Sequence, residues 1–201
     1  MSKAHLNFYC RMKFNKKTFE VIFFARGGQG AKTASELVAH AAVEEGKFVK
    51  AFPFYGPERS GAPTRMFLRV SDQEIRTQEP VEDPDVVVVM DDTLLGVQDV
   101  TKNLDENESL IINTKKSTEE IQKALPNFQG KIHAFDATGI AMEKTGAANP
   151  NIVLVGKLIA VSEIVSLESA AEVFRGVFTE KIGKDLTEKN ILAMEAGHDA
   201  L

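Results

Sequence analysis

Hydrophobic residues form two patterns along this chain, and the pattern changes near Pro150. Before that residue, short apolar runs alternate with amphipathic stretches, which predicts strands that are each followed by a helix. The predicted strands are Glu20–Ala25, Phe48–Phe54, Arg65–Val70, Val86–Met90, Leu110–Asn113 and Lys131–Phe135. The predicted helices are Ala31–Glu45, a short one near Thr93–Leu95, Ser117–Leu125 and Thr138–Lys144. Because most of these strands are continuously apolar, the pattern predicts an α/β fold with a doubly wound, mostly parallel sheet and flanking helices.

The C-terminal portion has a helical pattern only. The predicted helices there are Val153–Val161, Leu167–Phe178 and Leu186–Ala196, with Ser166 before the second and Gly197 as a C-cap of the third. We therefore divide the chain into an N-terminal extension, residues 1–18, and one α/β domain, residues 19–201, that ends in an all-helical portion.

A glycine-rich turn, Ala25-Arg26-Gly27-Gly28-Gln29-Gly30, lies between the first predicted strand and the first predicted helix. Glycines let the backbone turn at positive φ and approach a ligand closely, and a new helix offers unpaired N–H groups and the positive end of its dipole. Ligands of α/β sheets also bind at the carboxyl ends of strands. The turn therefore predicts an anion site, most often for a phosphate. The alternative is a tight turn that binds nothing.

Neither standard nucleotide-binding motif is complete in this turn. The dinucleotide fingerprint needs a third glycine where Thr33 stands, and an acidic residue at the end of the second strand, which instead ends in Phe54 and Tyr55. A phosphate-binding P-loop would need a leading glycine where Ala25 stands and no residue between Gly30 and Lys32. The turn is thus not typical of either nucleotide-binding class.

A second unusual segment, residues 52–63, contains two glycines and three prolines, which force a shaped loop. Tyr55, Glu58 and Arg59 give it aromatic, acidic and basic groups. A rigid loop with an internal Glu58–Arg59 pair is one interpretation. We favour a recognition surface beside the glycine turn, because both segments are predicted to follow neighbouring strands at the same end of the sheet.

Charge is divided unevenly along the chain. Residues 1–76 carry thirteen Lys and Arg against seven Asp and Glu, and residues 77–201 carry eleven against twenty-two, for a net charge of −5. A basic half that contains the glycine turn suits an anionic small ligand or an acidic partner, whereas the overall acidity argues against binding to nucleic acid.

Residue types also exclude several classes of site. The only cysteine is Cys10, so the chain can form no internal disulfide and cannot alone supply the thiolates of an iron–sulfur cluster. The four histidines lack metal-ligand spacing, and His40 is interpreted as a face residue of the first helix. We predict no catalytic residue and no metal site. No apolar run is long enough to span a membrane and the N-terminus lacks a secretory signal pattern, so we expect a cytoplasmic protein without a membrane partner.

Together these segments resemble the γ subunits of pyruvate:ferredoxin oxidoreductase and related 2-oxoacid:ferredoxin oxidoreductases. The resemblance covers about residues 20–198 and departs from the family at Ala25, where glycine is frequent. It is carried by Arg26-Gly27-Gly28-Gln29-Gly30, Glu45-Gly46-Lys47, Ala51-Phe52-Pro53, Tyr55-Gly56-Pro57-Glu58-Arg59, Gly61-Ala62-Pro63, Asp83-Pro84-Asp85-Val86-Val87-Val88, Asn149-Pro150-Asn151, Gly156 and Val165-Ser166-Leu167-Glu168.

The resemblance implies a non-catalytic γ subunit of a thiamine-diphosphate enzyme that converts a 2-oxoacid and coenzyme A reversibly to acyl-CoA and carbon dioxide, with ferredoxin as electron acceptor. Thiamine diphosphate, magnesium and [4Fe-4S] clusters would lie on partner α, β and δ subunits. The γ domain would contact coenzyme A. We expect its phosphates at the N–H groups of residues 27–30 with Arg26 and Lys32, and the thiol path or a catalytic subunit at Tyr55, Glu58 and Arg59.

Pyruvate is the favoured 2-oxoacid, with 2-oxoisovalerate and 2-oxoglutarate types as alternatives. A standalone nucleotide- or flavin-dependent oxidoreductase and a purely structural adaptor also remain open from the sequence.

Overall fold

The computed structural model describes residues 16–55 and 61–200, in which strands and helices follow the predicted order. The strands are β1 (Thr18–Arg26), β2 (Phe48–Tyr55), β3 (Pro63–Ser71), β4 (Val86–Val89), β5 (Ser109–Asn113) and β6 (Lys131–Phe135). The helices are α1 (Ala31–Glu44), a 3-10 helix (Asp92–Gly96), α2 (Thr118–Ala124), α3 (Ala137–Thr145), α4 (Asn151–Ser162), α5 (Leu167–Ile182) and α6 (Lys184–Asp199). The predicted mixed α/β fold with a helical C-terminal part is confirmed.

The six strands form one sheet in the order β2-β3-β1-β4-β5-β6. Strands β1, β4, β5 and β6 pair in parallel, whereas β3 is antiparallel to both of its neighbours, β1 and β2. The prediction that the two glycine-containing segments follow neighbouring strands is therefore wrong. Strand β3 lies between them because it returns antiparallel to β2 after a short connection and also pairs along its length with β1.

Successive residues of each strand face opposite sides of the sheet and enter separate cores. Val21 and Phe23 pack under α1 and the C-terminal helices, whereas Ile22 and Phe24 pack with residues of α2 and the 3-10 helix. Helical cover on both sides explains why the central strands are continuously apolar.

Two glycines bring α4 and α6 into backbone contact. A Cβ on Gly156 would lie 1.9 Å from the Met194 carbonyl oxygen, and a Cβ on Gly197 would lie 2.0 Å from the Val153 carbonyl oxygen. Gly197 is thus not the predicted C-cap, since α6 continues to Asp199. Its role is to let two helices approach more closely than side chains allow. This contact fixes α4, whose first residue lies beside the glycine turn.

Within the described ranges, none of the helices combines the length and hydrophobicity needed to cross a membrane.

Candidate anion-binding site at the glycine turn

The glycine turn connects the end of β1 to the start of α1 in a left-handed backbone conformation. Gly28 has a φ of 97° and Gly30 a φ of 79°. Residues with a Cβ rarely adopt such angles, so glycine is required at both positions. Gly30 is also the N-cap of α1, and no side chain caps the first turn of this helix. The first N–H groups of α1 are therefore left without the side-chain acceptor that a Ser, Thr, Asp or Asn cap would supply.

Two of the backbone donors predicted to bind an anion are already used within the protein. The Gly27 N–H donates to the Ala62 carbonyl oxygen at 3.0 Å, and the Gln29 N–H donates to the Arg26 carbonyl oxygen at 3.1 Å. In the part of the chain that the structure describes, the N–H groups of five residues of the turn and helix start donate to no protein acceptor. These residues are Gly28, Gly30, Ala31, Lys32 and Thr33.

The Gln29 side chain stabilises the turn through two hydrogen bonds within the protein. Its Oε1 accepts the Arg26 N–H at 2.7 Å, and its Nε2 donates to Asp91 Oδ2 at 2.9 Å. Asp91 follows β4, which is the parallel neighbour of β1. The predicted ligand residue Gln29 therefore supports the backbone of the turn and ties it to the adjacent strand.

The Arg26 guanidinium is held in the same network. It lies 3.2 Å from Asp91 Oδ2, donates to Thr93 Oγ1 at 2.8 Å, and donates to the Gly61 carbonyl oxygen at 3.3 Å. Burial raises the pKa of Asp91, but hydrogen bonds from Thr93 and Gln29 and the charge of Arg26 act in the other direction, and the net pKa lies below its ordinary value. Arg26 is thus a pre-oriented cation at the edge of the turn.

The free donors open into a cleft of about 270 Å³ between the turn and strand β3. Arg26, Lys32 and Thr64 are among its lining residues. The Thr64 hydroxyl oxygen is buried and has no hydrogen-bond partner among the described residues, which is uncommon for a buried polar atom. Lys32 remains 64% exposed, and its only ion pair within that part of the chain is with Glu36 at 3.5 Å. The cleft therefore presents backbone donors and two cations, and the buried hydroxyl of the lining residue Thr64 lies beside them.

Asn151, the first residue of α4, closes the back of the turn. It is buried, and its Nδ2 lies 3.5 Å from the Gly30 carbonyl oxygen. A Cβ on Gly30 would lie 2.4 Å from that nitrogen. Gly30 is thus required both for its φ and for the close approach of α4.

Sequence reasoning missed Asp91, Thr93 and Thr64 as parts of the site. A signal for the first two exists, because Asp91-Asp92-Thr93 directly follows the most apolar strand and polar residues at the carboxyl end of a parallel strand meet its neighbours. Thr64 carried no signal, since its position depends on the antiparallel return of β3.

Of the second predicted segment, residues 52–63, the structure describes residues 52–55 and 61–63. Tyr55 is the last residue of β2 and pairs with Thr64, so the segment starts at the same edge of the sheet as the glycine turn. Glu58 and Arg59 lie outside the described residues.

Comparisons with known proteins identify the family of the chain. The sequence model of the pyruvate ferredoxin/flavodoxin oxidoreductase family matches residues 20–200. The chain belongs to this family. It is 42% identical to pyruvate synthase subunit PorC of Thermotoga maritima over 94% of this chain and 97% of that protein. It is 44% identical to the pyruvate/ketoisovalerate oxidoreductases common subunit gamma of Thermococcus kodakarensis over 88% of this chain and 93% of that protein.

A solved structure places this member of the oxidoreductase family beside the same relatives. The crystal structure of pyruvate oxidoreductase subunit PORC from Thermotoga maritima superposes with a TM-score of 0.82 at 40% identity, covering 92% of this chain and 97% of the other. The predicted resemblance to γ subunits is confirmed. Homologues of the chain are therefore subunits of a 2-oxoacid oxidoreductase complex.

Across residues 16–55 and 61–200, no three or more His, Cys, Asp or Glu side chains are grouped so that they could hold a metal ion.

Proposed function

We propose that the chain is the accessory γ subunit of a pyruvate synthase, and that its glycine turn binds the phosphates of coenzyme A for the partner subunits. The observation that carries the proposal is the row of unpartnered N–H groups at Gly28, Gly30, Ala31 and Lys32, which open into the cleft at the start of α1. Backbone donors at a helix N-terminus are a common way to bind phosphate.

Charge in the cleft supports an anionic guest. Arg26 is held in place by Asp91 and Thr93, and Lys32 is exposed enough to reach a bound phosphate. Charge-assisted hydrogen bonds from such groups are roughly twice as strong as neutral ones. Tyr55, Glu58 and Arg59 would border the path of the thiol or the contact with a catalytic subunit.

The redox chemistry would take place on other chains. Thiamine diphosphate, magnesium and the [4Fe-4S] clusters would be bound by α, β and δ subunits, and ferredoxin would accept the electrons. The single cysteine of the sequence supports this division. Pyruvate is favoured as the 2-oxoacid because relatives are named pyruvate synthase subunits, and a subunit shared with 2-oxoisovalerate oxidation is the alternative.

The decisive experiment compares Gly28→Asp with Gly28→Asn in the assembled complex. Both variants add a side chain of nearly the same shape at a φ of 97°, and a Cβ there meets no atom within 4 Å. They differ in the negative charge of Asp and in the N–H donors of Asn, and both differences favour anion binding in Gly28→Asn. We expect the Michaelis constant for coenzyme A to be about tenfold or more higher in Gly28→Asp, with a smaller effect on kcat. Equal constants in the two variants would contradict the phosphate site.

A second pair of variants isolates the lysine. Lys32→Met should raise the Michaelis constant for coenzyme A several-fold, whereas Lys115→Met, at a lysine that is 84% exposed on another loop, should leave it unchanged. The chain without partner subunits should show no oxidoreductase turnover. Measurable turnover by the isolated chain would refute the accessory role.

A further inference from the structure

A second and larger cavity lies at the opposite edge of the sheet, where the parallel strands begin. Its volume is about 810 Å³, within the range of small-molecule sites. We name it the amino-end cavity and define it by Lys16, Asp85, Glu108, Lys131, His133 and Lys157. Ligands of open α/β sheets normally bind at the other edge. The glycine turn and the motifs of the sequence therefore give no account of this cavity.

The buried carboxylates of the amino-end cavity, Asp85 and Glu108, which form its acidic side, have ion-pair and hydrogen-bond partners within the protein. Lys16 Nζ lies 3.1 Å from Glu108 Oε1 and 3.3 Å from Asp85 Oδ1. Asp85 Oδ2 accepts the Glu20 N–H at 2.7 Å, and Glu108 Oε2 accepts the Asp105 N–H at 2.7 Å. These contacts fasten the start of β1 to the segments before β4 and β5. This side is therefore structural. The exposed Asp105 also lines the cavity, and its Oδ1 accepts the Asn107 N–H at 2.7 Å, but among the described residues it forms no ion pair with Lys131 or Lys157.

The other basic residues of the cavity, in contrast, have no carboxylate partner among the described residues. Among the described residues, Lys131, His133 and Lys157 form no ion pair with a carboxylate, and the Lys157 ammonium is held by the backbone carbonyl of Ala200. Lys157 is only 8% exposed. His133 Nε2 is buried and has no hydrogen-bond partner in the same part of the chain. A buried lysine without a counter-ion and a buried imidazole nitrogen without a partner are both unfavourable unless something else pairs with them.

The two lysine charges also act on His133. Burial, and then the charges of Lys157 and Lys131, lower the pKa of His133 to about 4. The imidazole is therefore neutral near pH 7. Three nitrogen-bearing side chains thus line the cavity, and no carboxylate of residues 16–55 or 61–200 forms an ion pair with any of them.

We propose that the amino-end cavity binds a small molecule through an anionic group, a phosphate or a carboxylate, that is held by Lys131, His133 and Lys157. Such a group supplies the missing counter-charge to two lysines and an acceptor for the His133 ring N–H. This site is separate from the glycine turn and does not depend on the function proposed for it.

Histidine NMR of the full-length chain tests the proposal directly. Inorganic phosphate and acetate are titrated separately into the protein at constant ionic strength and neutral pH, and the His133 ring signals are assigned by their loss in His133→Gln. We expect the His133 signals to shift saturably with at least one anion and the pKa of His133 to rise, because the bound charge favours imidazolium. The His40 and His198 signals should shift little. Saturation by phosphate alone indicates a phosphorylated ligand, and saturation by acetate indicates a carboxylate.

Charge-removing variants show whether the named residues carry the binding. Lys131→Met and Lys157→Met should each raise the dissociation constant of the anion about tenfold, which is the effect of losing one charge-assisted contact. Lys115→Met should leave this constant unchanged. Lys131 is exposed, so its variant tests the site even where the buried Lys157→Met fails to fold. No saturable shift with either anion would overturn the proposal. The same would follow if His133 responded equally in wild type and in Lys131→Met.

Discussion

The concave sites at the two edges of the sheet consist of different chemical groups. At the carboxyl edge, backbone N–H groups of one continuous turn face the cleft, and side chains such as Gln29 and Asp91 hold that backbone in place. At the amino edge, charged side chains from distant parts of the sequence line the cavity, and these side chains supply the binding groups. A site made of backbone is recognisable as a local motif, whereas a site made of scattered side chains exists only once the chain has folded.

Helix α4 connects the two edges. Its first residue, Asn151, contacts Gly30, and Lys157, six positions along the same helix, lines the amino-end cavity. A substitution that displaces α4 should therefore disturb both edges, and one confined to either edge should leave the other intact.

Gly156→Ala should have the largest effect, because the new Cβ would lie 1.9 Å from the Met194 carbonyl oxygen. Overpacking against backbone should lower the free energy of unfolding in urea by about 3 kcal/mol or more. Gly176→Ala in α5 is the matched control, since a Cβ there meets no atom within 4 Å, and it should raise stability by about 0.5–1 kcal/mol. Equal stabilities of the two variants would contradict the described packing of α4 on α6.

Gly30→Ala should have the next largest effect and should act at the carboxyl edge. The left-handed φ should lower the free energy of unfolding of this variant by about 1–2 kcal/mol, and the contact of the new Cβ with Asn151 should lower it further. Gly28→Ala shares the unfavourable φ but not the contact. A double-mutant cycle of Gly30→Ala with Asn151→Ala, measured by urea unfolding, should therefore give a coupling of about 0.5 kcal/mol or more. Strict additivity would show that α4 does not support the turn.

The positions of the strands could be predicted from the sequence, but their pairing could not. Each of the six predicted strands is present within a few residues, because apolar runs and their breakers are local. The insertion of β3 between β1 and β2 depends on contacts between distant residues, which periodicity does not report. Gly197 was predicted as a helix end for the same reason, since its contact with Val153 lies on another helix.

The candidate site at the glycine turn was predicted in outline only. Position, left-handed glycines and helix start follow from sequence, but Arg26 and Gln29 make most of their contacts inside the protein. Their partners Asp91 and Thr93 belong to another strand end. The amino-end cavity was not predicted at all, because its residues share no spacing along the chain.

A third prediction concerns pH and belongs to the amino edge. Burial, partly opposed by the Glu20 N–H and by Lys16, raises the pKa of Asp85 to about 6, so Asp85 contributes stability that is lost as the pH rises from about 4 to about 6. His133, with its lowered pKa, contributes stability that is present above pH 6.5 and lost as the pH falls towards 4. The two contributions oppose each other, so single variants should reveal a dependence that the wild type largely hides.

Relative to wild type, His133→Gln should lose stability as the pH rises from 4 to 6, and Asp85→Asn should gain it over the same interval. Each difference should be on the order of 1–2 kcal/mol, since solvent screens part of the shift. Urea unfolding at several pH values measures both. Parallel curves for the wild type and both variants would show that these groups do not titrate as described.

The smallest effect should come from Ser117→Ala, which tests a helix start of the opposite kind. Ser117 and Glu120 form a reciprocal capping box at α2, so the donors there are occupied, in contrast to α1. Loss of the cap should lower the free energy of unfolding by about 1 kcal/mol without changing the Michaelis constant of the complex for coenzyme A. A change in that constant would mean that the anion response is not confined to α1.

The backbone contact between α4 and α6 also determines when the glycine turn is completed during synthesis. Gly28 and Gly30 leave the ribosome before Asn151, and Asn151 leaves it before Gly197. Because a domain folds as a unit, Asn151 is secured behind Gly30 only after α6 has emerged. The turn therefore gains its final support only after α6, which is synthesised later than the turn itself, has joined the fold.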